Sequence, residues 1–203
     1  MLLVITHADH LPGETERWKE LLSAGADAIL LRKPGWSEDA YVQVLEQTDP
    51  ACYPKMLIAQ HWHLQQRYGM MGVHLSESLR QESSEELLTT QRNKGCLLST
   101  SVHDATALPA MTDQWDFLLY GPVFDSISKP GHQRRMSAGF RQHQWVSGAR
   151  VMALGGVQRS NAGILKAMGF HGLALLGAIW QTPDKAVAHF IEIKKAWNGN
   201  AHT

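Results

Sequence analysis

The feature that most constrains the fold is a regular alternation of short apolar runs with longer amphipathic segments along the chain. Each apolar run has the length and the near-continuous hydrophobicity of a parallel strand that is covered on both faces. The strand-like runs are residues 2–6, 27–31, 55–59, 72–75, 96–99, 117–120, 150–154 and 172–176. Helix-like segments lie between them or after them at residues 14–24, 37–47, 64–68, 84–93, 104–112, 161–168 and 184–197.

Eight strands with no Pro/Gly/Ser-rich linker between them predict a single domain over residues 1–203, with a frayed tail at 198–203. The predicted fold class is α/β, and the predicted architecture is a (β/α)8 TIM barrel. A doubly wound open sheet is the alternative, because alternation alone does not show that a sheet closes. The count of eight favours closure.

The composition excludes several classes of protein. The chain has 19 basic and 19 acidic side chains, so its formal net charge is zero and no global field attracts nucleic acid or an anionic membrane. No apolar run approaches the roughly 20 residues of a membrane-spanning helix, and the first residues resemble a strand instead of a secretory signal. Cys52 and Cys96 have no metal or disulfide spacing, which predicts reduced thiols in a cytoplasmic protein.

Polar and ionisable side chains recur directly after the predicted strands. In a closed barrel the carboxyl ends of the strands share one rim, and the loops at this rim carry the chemistry. The candidates at this position are His7, Arg32, Gln60, His61, His74, Ser101, His103, Ser126 and Lys129. We therefore expect the functional site at this end of the barrel.

The loop after the sixth strand has the composition of an anion site. Ser126, Ser128 and Lys129 place two hydroxyls and an ammonium within four residues, and Pro130 and Gly131 follow them. Proline and glycine favour a turn, and glycine lets a ligand approach the backbone closely. The alternative is a solvated surface loop, which is what such a composition more often means.

Small residues follow the last two strands. Gly155 and Gly156 come after the seventh strand, and Gly177 and Ala178 come after the eighth. In barrels of this class these two loops often bind phosphate through backbone N–H groups, which requires small side chains. Glycines that merely turn the chain are the alternative, but small residues in both expected loops favour phosphate binding.

Six motifs together resemble the thiamine-phosphate synthase and TenI superfamily over nearly the whole chain. They are ILLRKP at residues 29–34, GVHL at 72–75, STSVHD at 99–104, YGPVFDSISK at 120–129, ALGGV at 153–157 and LALLGAIW at 173–180. The sixth-strand motif is the most specific of them. The resemblance implies a barrel enzyme of thiamine biosynthesis that couples a pyrimidine diphosphate to a thiazole phosphate and releases pyrophosphate.

The resemblance also implies roles for individual residues. Arg32, Ser101, Ser126, Ser128 and Lys129 match positions that hold the diphosphate, with Ser where the family often has Thr. Arg32 and Lys129 would supply the positive charge that a departing diphosphate needs. Phosphate of the thiazole partner would bind in the region of three glycines, namely Gly155, Gly156 and Gly177. The expected partners are these small phosphorylated heterocycles, and a homodimer is left open.

Two motifs depart from the synthase pattern. The positions that flank Arg32 in the synthase QxRxK motif are Leu30 and Pro34 here. The synthase carboxylates that bind magnesium correspond to Ala59, Gln60 and Leu79, so Mg2+ would have to be held by the diphosphate and neutral ligands. Substitute ligands would be Glu77, Asp104 or Asp125. No metal-binding residue is predicted.

Two other functions remain open. TenI-type thiazole tautomerases in the same superfamily use no magnesium, but their catalytic histidine corresponds to Pro122 here, so another acid/base would have to serve. His103 and His74 follow strands on the ligand side, and the near-neutral pKa of histidine suits proton transfer. His61 is a third candidate, and a structural histidine is the more common reading of each. A non-catalytic binder of a phosphorylated ligand is the last alternative.

Overall fold

The eight predicted strands form one closed parallel barrel in the order β1 to β8. The computed structural model describes residues 1–111, 114–124 and 148–199. Closure is made by β1, which pairs with β2 on one side and with β8 on the other, so that Leu2 lies opposite Leu173 and Leu3 opposite Ala28. The strands are β1 Leu2–Ile5, β2 Ala28–Leu31, β3 Met56–Ile58, β4 Gly72–Leu75, β5 Leu97–Val102, β6 Phe117–Tyr120, β7 Arg150–Leu154 and β8 Gly172–Leu175.

Helices surround the barrel as predicted in most places. The described α-helices are α1 Glu14–Ser23, α2 Glu38–Gln47, α3 His63–Tyr68, α4 Glu77–Glu82, α5 Glu85–Asn93, α6 Arg159–Ala167, α7 Gly177–Trp180 and α8 Ala186–Asn198. In the described part of the chain, 3-10 segments accompany them at Pro50–Lys55, Ala105–Ala110 and Pro183–Lys185. No helix in the described ranges is both long and apolar enough to cross a membrane.

The structure corrects several predicted elements. The α-helix expected at 104–112 is a 3-10 segment at Ala105–Ala110, because Pro109 cannot donate the hydrogen bond that an α-helix needs there. Two short helices, α4 and α7, were not predicted, since each has less than two turns and leaves no periodic pattern. Asn198, placed in the predicted tail, is the last residue of α8, and residues 200–203 lie outside the described part.

Two apolar layers build the core, one inside the barrel and one between the barrel and its helices. The inner layer consists of every second residue of the strands, whose side chains face the barrel interior. Examples are Leu3, Leu30, Leu119 and Met152. The outer layer is larger and includes the aromatic side chains of Trp18, Tyr41 and Phe190. Because both faces of each strand are buried, the strands are nearly continuous apolar runs, which is the pattern that identified them.

A buried ion pair lies beside the end of β2 and connects it to α1. Lys33 is fully buried, Glu14 is 1% exposed, and the Lys33 ammonium donates to a Glu14 carboxylate oxygen. Nζ of Lys33 also donates to the carbonyl of Asp9 at 2.9 Å and lies 5.0 Å from the ring centroid of Trp36. Desolvation lowers the pKa of Lys33, while the hydrogen bond and charge of Glu14 oppose this effect.

We predict that Glu14→Gln destabilises the protein strongly. The amide keeps the shape of the side chain but leaves the Lys33 ammonium buried without its counter-charge, which typically costs about 3 kcal/mol or more in the free energy of unfolding. Urea unfolding measures this change. The control Glu20→Gln, on the exposed face of the same helix, should change stability by less than about 0.5 kcal/mol. Equal losses in both variants would show that the buried pair is unimportant.

Candidate active site

One cavity of about 450 Å³ opens at the carboxyl ends of the strands. Its floor is apolar and is formed by inward-facing residues near the ends of five strands, whereas polar groups and glycines surround the mouth. The floor residues are Ile5, Leu30, Leu119, Leu154 and Ala174. The remaining lining residues are Arg32, His74, Ser76, Glu77, Ser101, His103, Gly155, Gly156, Val157, Gln158, Leu176, Gly177, Ala178 and Gln181. An apolar floor with a few convergent polar groups is the usual form of a small-molecule site.

Seven of the predicted site residues line this cavity together. They are Arg32, His74, Ser101, His103, Gly155, Gly156 and Gly177, contributed by loops or strands from both sides of the barrel. Ser126, Ser128 and Lys129, together with Asp125, lie outside the described residues. The residues chosen by their position near the strand ends thus lie around one cavity, while their roles stay predictions.

The guanidinium of Arg32 is available to a ligand. The backbone of Arg32 is fixed to the end of β1, because its N–H donates to Thr6 Oγ1 at 3.0 Å and its carbonyl accepts from the same hydroxyl at 3.1 Å. The side chain is exposed at the cavity and makes no ion pair with any described residue. A fixed backbone with an unpaired planar cation suits the bidentate recognition of a phosphate.

His74 lies inside the barrel between two serine hydroxyls. Its Nδ1 is 2.9 Å from Ser99 Oγ, and its Nε2 is 3.0 Å from Ser101 Oγ. Two effects lower the pKa of His74 to about 3. The larger is desolvation by burial, and the smaller is the positive charge of Arg32. The imidazole is therefore neutral at physiological pH, with one nitrogen that donates and one that accepts.

The ring of His103 lines the cavity and is held by a backbone carbonyl. Its Nδ1 lies 2.6 Å from the carbonyl oxygen of Gly121, and since a carbonyl only accepts, Nδ1 must carry the proton. Nε2 is then the basic nitrogen of the neutral ring, and it has no hydrogen-bond partner within the described ranges. His103 is exposed and lines the cavity, so this arrangement favours it over buried His74 as a proton acceptor.

The loop after β7 has a backbone conformation that requires glycine. Gly155 and Gly156 have φ values of +88° and +65°, in the left-handed region that side chains disfavour. A Cβ on Gly155 would also lie 2.8 Å from Pro122, because the chain after β6 packs directly against this loop. Phe124 N–H donates to the Gly155 carbonyl at 3.3 Å, which joins the two loops at the cavity mouth.

Gly177 differs from these two residues, because a Cβ added to it would meet no atom within 4 Å. Its lack of a side chain keeps space open at the cavity wall instead of relieving a clash. Within the described ranges, the N–H groups of Gly156, Val157, Gly177 and Ala178 have no hydrogen-bond acceptor in the protein. These free donors suit an anion such as phosphate.

Sequence reasoning missed three polar residues of the cavity wall, Ser76, Gln158 and Gln181, and named Glu77 only as a substitute magnesium ligand. Gln158 precedes α6, Gln181 follows α7, and Ser76 and Glu77 begin α4. Each lies within a few residues of a strand end, but the amphipathic pattern does not show which side chain of a loop turns inward. Glu77 makes an ion pair with Arg80 at 3.3 Å.

The described lining residues do not form a donor set that fits a magnesium ion held by the protein. Mg2+ prefers carboxylate oxygens, and Glu77, already paired with Arg80, is the one carboxylate among the described lining residues. No group of three or more His, Cys, Asp or Glu side chains in the described ranges could hold a metal. Asp104 instead caps the following 3-10 segment through the N–H of Thr106, at 2.9 Å.

Two aromatic residues that follow strands β2 and β8 do not line the cavity. Trp180 is buried, and its indole N–H donates to the carbonyl of Ile5 at 2.7 Å. Trp36 packs against Lys33 and borders a separate cleft over α2. His61 likewise turns away from the cavity lining, and its Nε2 lies 3.2 Å from the carbonyl of Trp36.

Comparison with known proteins agrees with this geometry. The family model described as thiamine monophosphate synthase (TMP-TENI) matches residues 1–179. A thiamine-phosphate synthase of Laribacter hongkongensis is 26% identical over 172 residues, covering 81% of this chain and 79% of that protein. One from Neisseria meningitidis serogroup A is 25% identical over 194 residues, covering 91% and 92%.

The fold itself also occurs in a solved structure of similar length. The crystal structure of thiamine phosphate pyrophosphorylase from Bacteroides thetaiotaomicron superposes with a TM-score of 0.77 at 21% identity, covering 99% of each chain. This likeness supports the closed barrel. The family model matches residues 1–179, which is most of the chain, and the chain therefore belongs to the thiamine monophosphate synthase family.

Proposed function

We propose that this protein synthesises thiamine phosphate by coupling hydroxymethylpyrimidine diphosphate to thiazole phosphate with release of pyrophosphate. The observation that carries the proposal is the convergence of Arg32, Ser101 and the glycine loops on one cavity with an apolar floor. A phosphorylated heterocycle needs these features together, since its ring is flat and largely apolar while its phosphate is strongly anionic. Membership of the family and the relatives named thiamine-phosphate synthase support the same activity.

The reaction requires electrostatic stabilisation more than proton transfer. The bond between the pyrimidine methylene carbon and the diphosphate oxygen breaks, and pyrophosphate leaves with the electron pair. The thiazole nitrogen then donates its lone pair to that carbon, and because this nitrogen carries no proton, no general base is needed. Arg32, whose backbone is held by Thr6, provides a cation for the charge that gathers on the leaving group. Ser126, Ser128 and Lys129 are proposed to assist it on the evidence of sequence alone.

The two glycine loops would hold the phosphate of the thiazole substrate. The N–H groups of Gly156, Val157 and Gly177, which meet no acceptor among the described residues, lie at the wall formed by β7 and β8. Arg32 extends from the end of β2. Separate anion-binding groups on one cavity suit a reaction with two phosphorylated substrates. The apolar floor between them would support the rings through contacts with side chains such as Leu30 and Leu119.

His103 supports a second candidate function, the tautomerisation of a thiazole carboxylate phosphate. The hydrogen bond from Nδ1 to Gly121 fixes the ring and leaves Nε2 as a base at the cavity. Such a base could take a proton from one atom of the ring and return it to another, which requires no leaving group. Proton transfer by a histidine uses no metal. This reaction is therefore compatible with a cavity whose described lining residues do not suit magnesium.

We predict that Arg32→Gln reduces the rate of thiamine phosphate formation at least about 100-fold, because a neutral amide cannot stabilise the departing pyrophosphate. The assay supplies pyrimidine diphosphate and thiazole phosphate, with magnesium in one series and chelator in another. Arg92→Gln changes an exposed arginine on α5 and should keep the activity of the unmodified protein. No turnover by the unmodified protein in either series would reject the synthase proposal, and thiazole phosphate binding without turnover would identify a binder.

Two glycine substitutions test whether the loops after β7 and β8 bind the phosphate of the thiazole substrate. Gly177→Ala adds a methyl group that touches no protein atom, so stability should change by less than about 0.5 kcal/mol while affinity for thiazole phosphate falls about tenfold or more. Gly155→Ala forces a residue into φ +88° against Pro122 and should cost about 1–3 kcal/mol of stability. Calorimetric titration and urea unfolding separate the two effects. Unchanged affinity in Gly177→Ala would remove this residue from the phosphate site.

His103→Asn tests the tautomerase alternative. Asparagine can still donate a hydrogen bond to the Gly121 carbonyl but provides no base, so the tautomerisation rate in chelator should fall by about 10²–10⁴. Coupling of the two synthase substrates should change little in the same variant. The control His63→Gln alters an exposed histidine that pairs with Glu38. Tautomerisation that is insensitive to His103→Asn would exclude this histidine from the mechanism.

A further inference from the structure

The starting observation is a polar cluster inside the otherwise apolar barrel. His74 of β4 and Ser99 of β5 lie opposite each other in the sheet register, are 3% and 2% exposed, and pack among the inner apolar residues. Ser101, two residues farther along β5, completes the cluster and reaches the cavity. Buried polar groups destabilise a core unless each has a hydrogen-bond partner. Here each ring nitrogen of His74 and each serine hydroxyl oxygen has one.

The same atomic positions allow two hydrogen-bond arrangements. In the first, the Ser99 hydroxyl donates to the Val73 carbonyl at 3.3 Å, His74 Nδ1–H donates to Ser99, and Ser101 donates to His74 Nε2. In the second, the Ser99 hydroxyl donates to Nδ1, and Nε2–H donates to Ser101. A neutral imidazole has one proton to place, so the two arrangements differ in the tautomer of His74.

The two arrangements present different groups to the cavity. In the first, the Ser101 hydroxyl proton is directed at His74, and only oxygen lone pairs face a ligand. In the second, the hydroxyl proton is free to point into the cavity. The oxygens of a diphosphate are hydrogen-bond acceptors. They are repelled by the Ser101 lone pairs in the first arrangement and accept a hydrogen bond from the Ser101 hydroxyl in the second.

We propose that Ser99, His74 and Ser101 form a hydrogen-bond relay in which a bound diphosphate selects the Nε2–H tautomer of His74 and makes Ser101 a donor. His74 and Ser99 do not touch the ligand and act as positioning residues for Ser101. The relay also polarises the Ser101 hydroxyl, because a group that accepts a hydrogen bond becomes a better donor. This inference rests on the proposed function to the extent that the cavity binds a diphosphate.

Ser99→Ala separates this relay from a merely structural cluster. Without the Ser99 hydroxyl, the first arrangement would bury an unpaired N–H donor at Nδ1, whereas the second would leave only an unpaired acceptor, which proteins tolerate better. The variant should therefore hold His74 in the Nε2–H tautomer even without ligand. Its affinity for inorganic pyrophosphate should equal or exceed that of the unmodified protein.

The experiment is nuclear magnetic resonance of the full-length protein with ¹⁵N-labelled histidine, in which ring nitrogen shifts report the tautomer. His74→Gln identifies the His74 signals among those of the 11 histidines. We expect the Nε2–H tautomer at saturating pyrophosphate in the unmodified protein, and without ligand in Ser99→Ala. The Nδ1–H tautomer in either sample would overturn the relay, as would a failure of pyrophosphate to bind.

Binding measurements provide a second readout. Ser101→Ala should weaken pyrophosphate binding about tenfold or more, since it removes a hydrogen bond to a charged acceptor. Thr100→Val is the control, because Thr100 lies between the two serines but directs its hydroxyl to the Leu75 carbonyl at 2.9 Å. This variant should keep the affinity of the unmodified protein. An equal loss in both variants, or none in Ser101→Ala, would contradict the role of Ser101.

The outcomes distinguish the relay from the proposed function. Pyrophosphate binding with the Nε2–H tautomer, but without formation of thiamine phosphate from the two substrates, would support the relay and reject the synthase activity. Formation of thiamine phosphate with His74 in the Nδ1–H tautomer in the pyrophosphate complex would support the activity and reject the relay.

Discussion

Parallel pairing of β1 with β8 is the constraint on which the site depends. This pairing closes the sheet, and a closed parallel sheet brings the carboxyl ends of all its strands to one rim. Arg32 after β2, His103 after β5 and Gly177 after β8 are distant in sequence, yet closure places all three around one cavity. An open sheet of the same strands would spread these residues along an edge, where no single small ligand could contact them together.

In the barrel, the charged group lies at the cavity mouth and the deeper polar groups are neutral. The guanidinium of Arg32, which pairs with no carboxylate in the described ranges, stays at the mouth, where water reduces the cost of its charge. The deeper His74 is neutral because burial lowers its pKa to about 3. The fully buried charge of Lys33 lies outside the barrel interior and is balanced by Glu14. The described cavity thus combines a cationic mouth with a neutral interior, which suits an anionic group attached to an apolar ring.

The sequence was sufficient for the architecture because a strand buried on both faces must be apolar along its length, and that pattern is visible without a structure. It failed where a local constraint overrides the pattern, as at Pro109, which turns a predicted α-helix into a 3-10 segment. Seven of the residues predicted to follow strands line the cavity, but the same criterion also selected His7, Gln60 and His61, which do not. Two of the seven were placed wrongly in detail, because His74 lies within β4 and Ser101 within β5 instead of after these strands. The hydrogen bond between His74 and Ser99 could not be inferred, because it depends on the register of two neighbouring strands.

The two candidate reactions make different demands on the same cavity. Coupling needs positive charge where pyrophosphate departs, and tautomerisation needs a base beside a ring atom. Arg32 meets the first demand and His103 the second, so neither residue alone decides between them. Anion-binding groups lie on both the β2 side and the β7–β8 side, which suits the diphosphate and the phosphate of the two coupling substrates. The tautomerase substrate also carries two anionic groups, its phosphate and its carboxylate, so the number of anion-binding groups does not decide between the reactions. Synthesis is preferred because the relatives of this chain are thiamine-phosphate synthases.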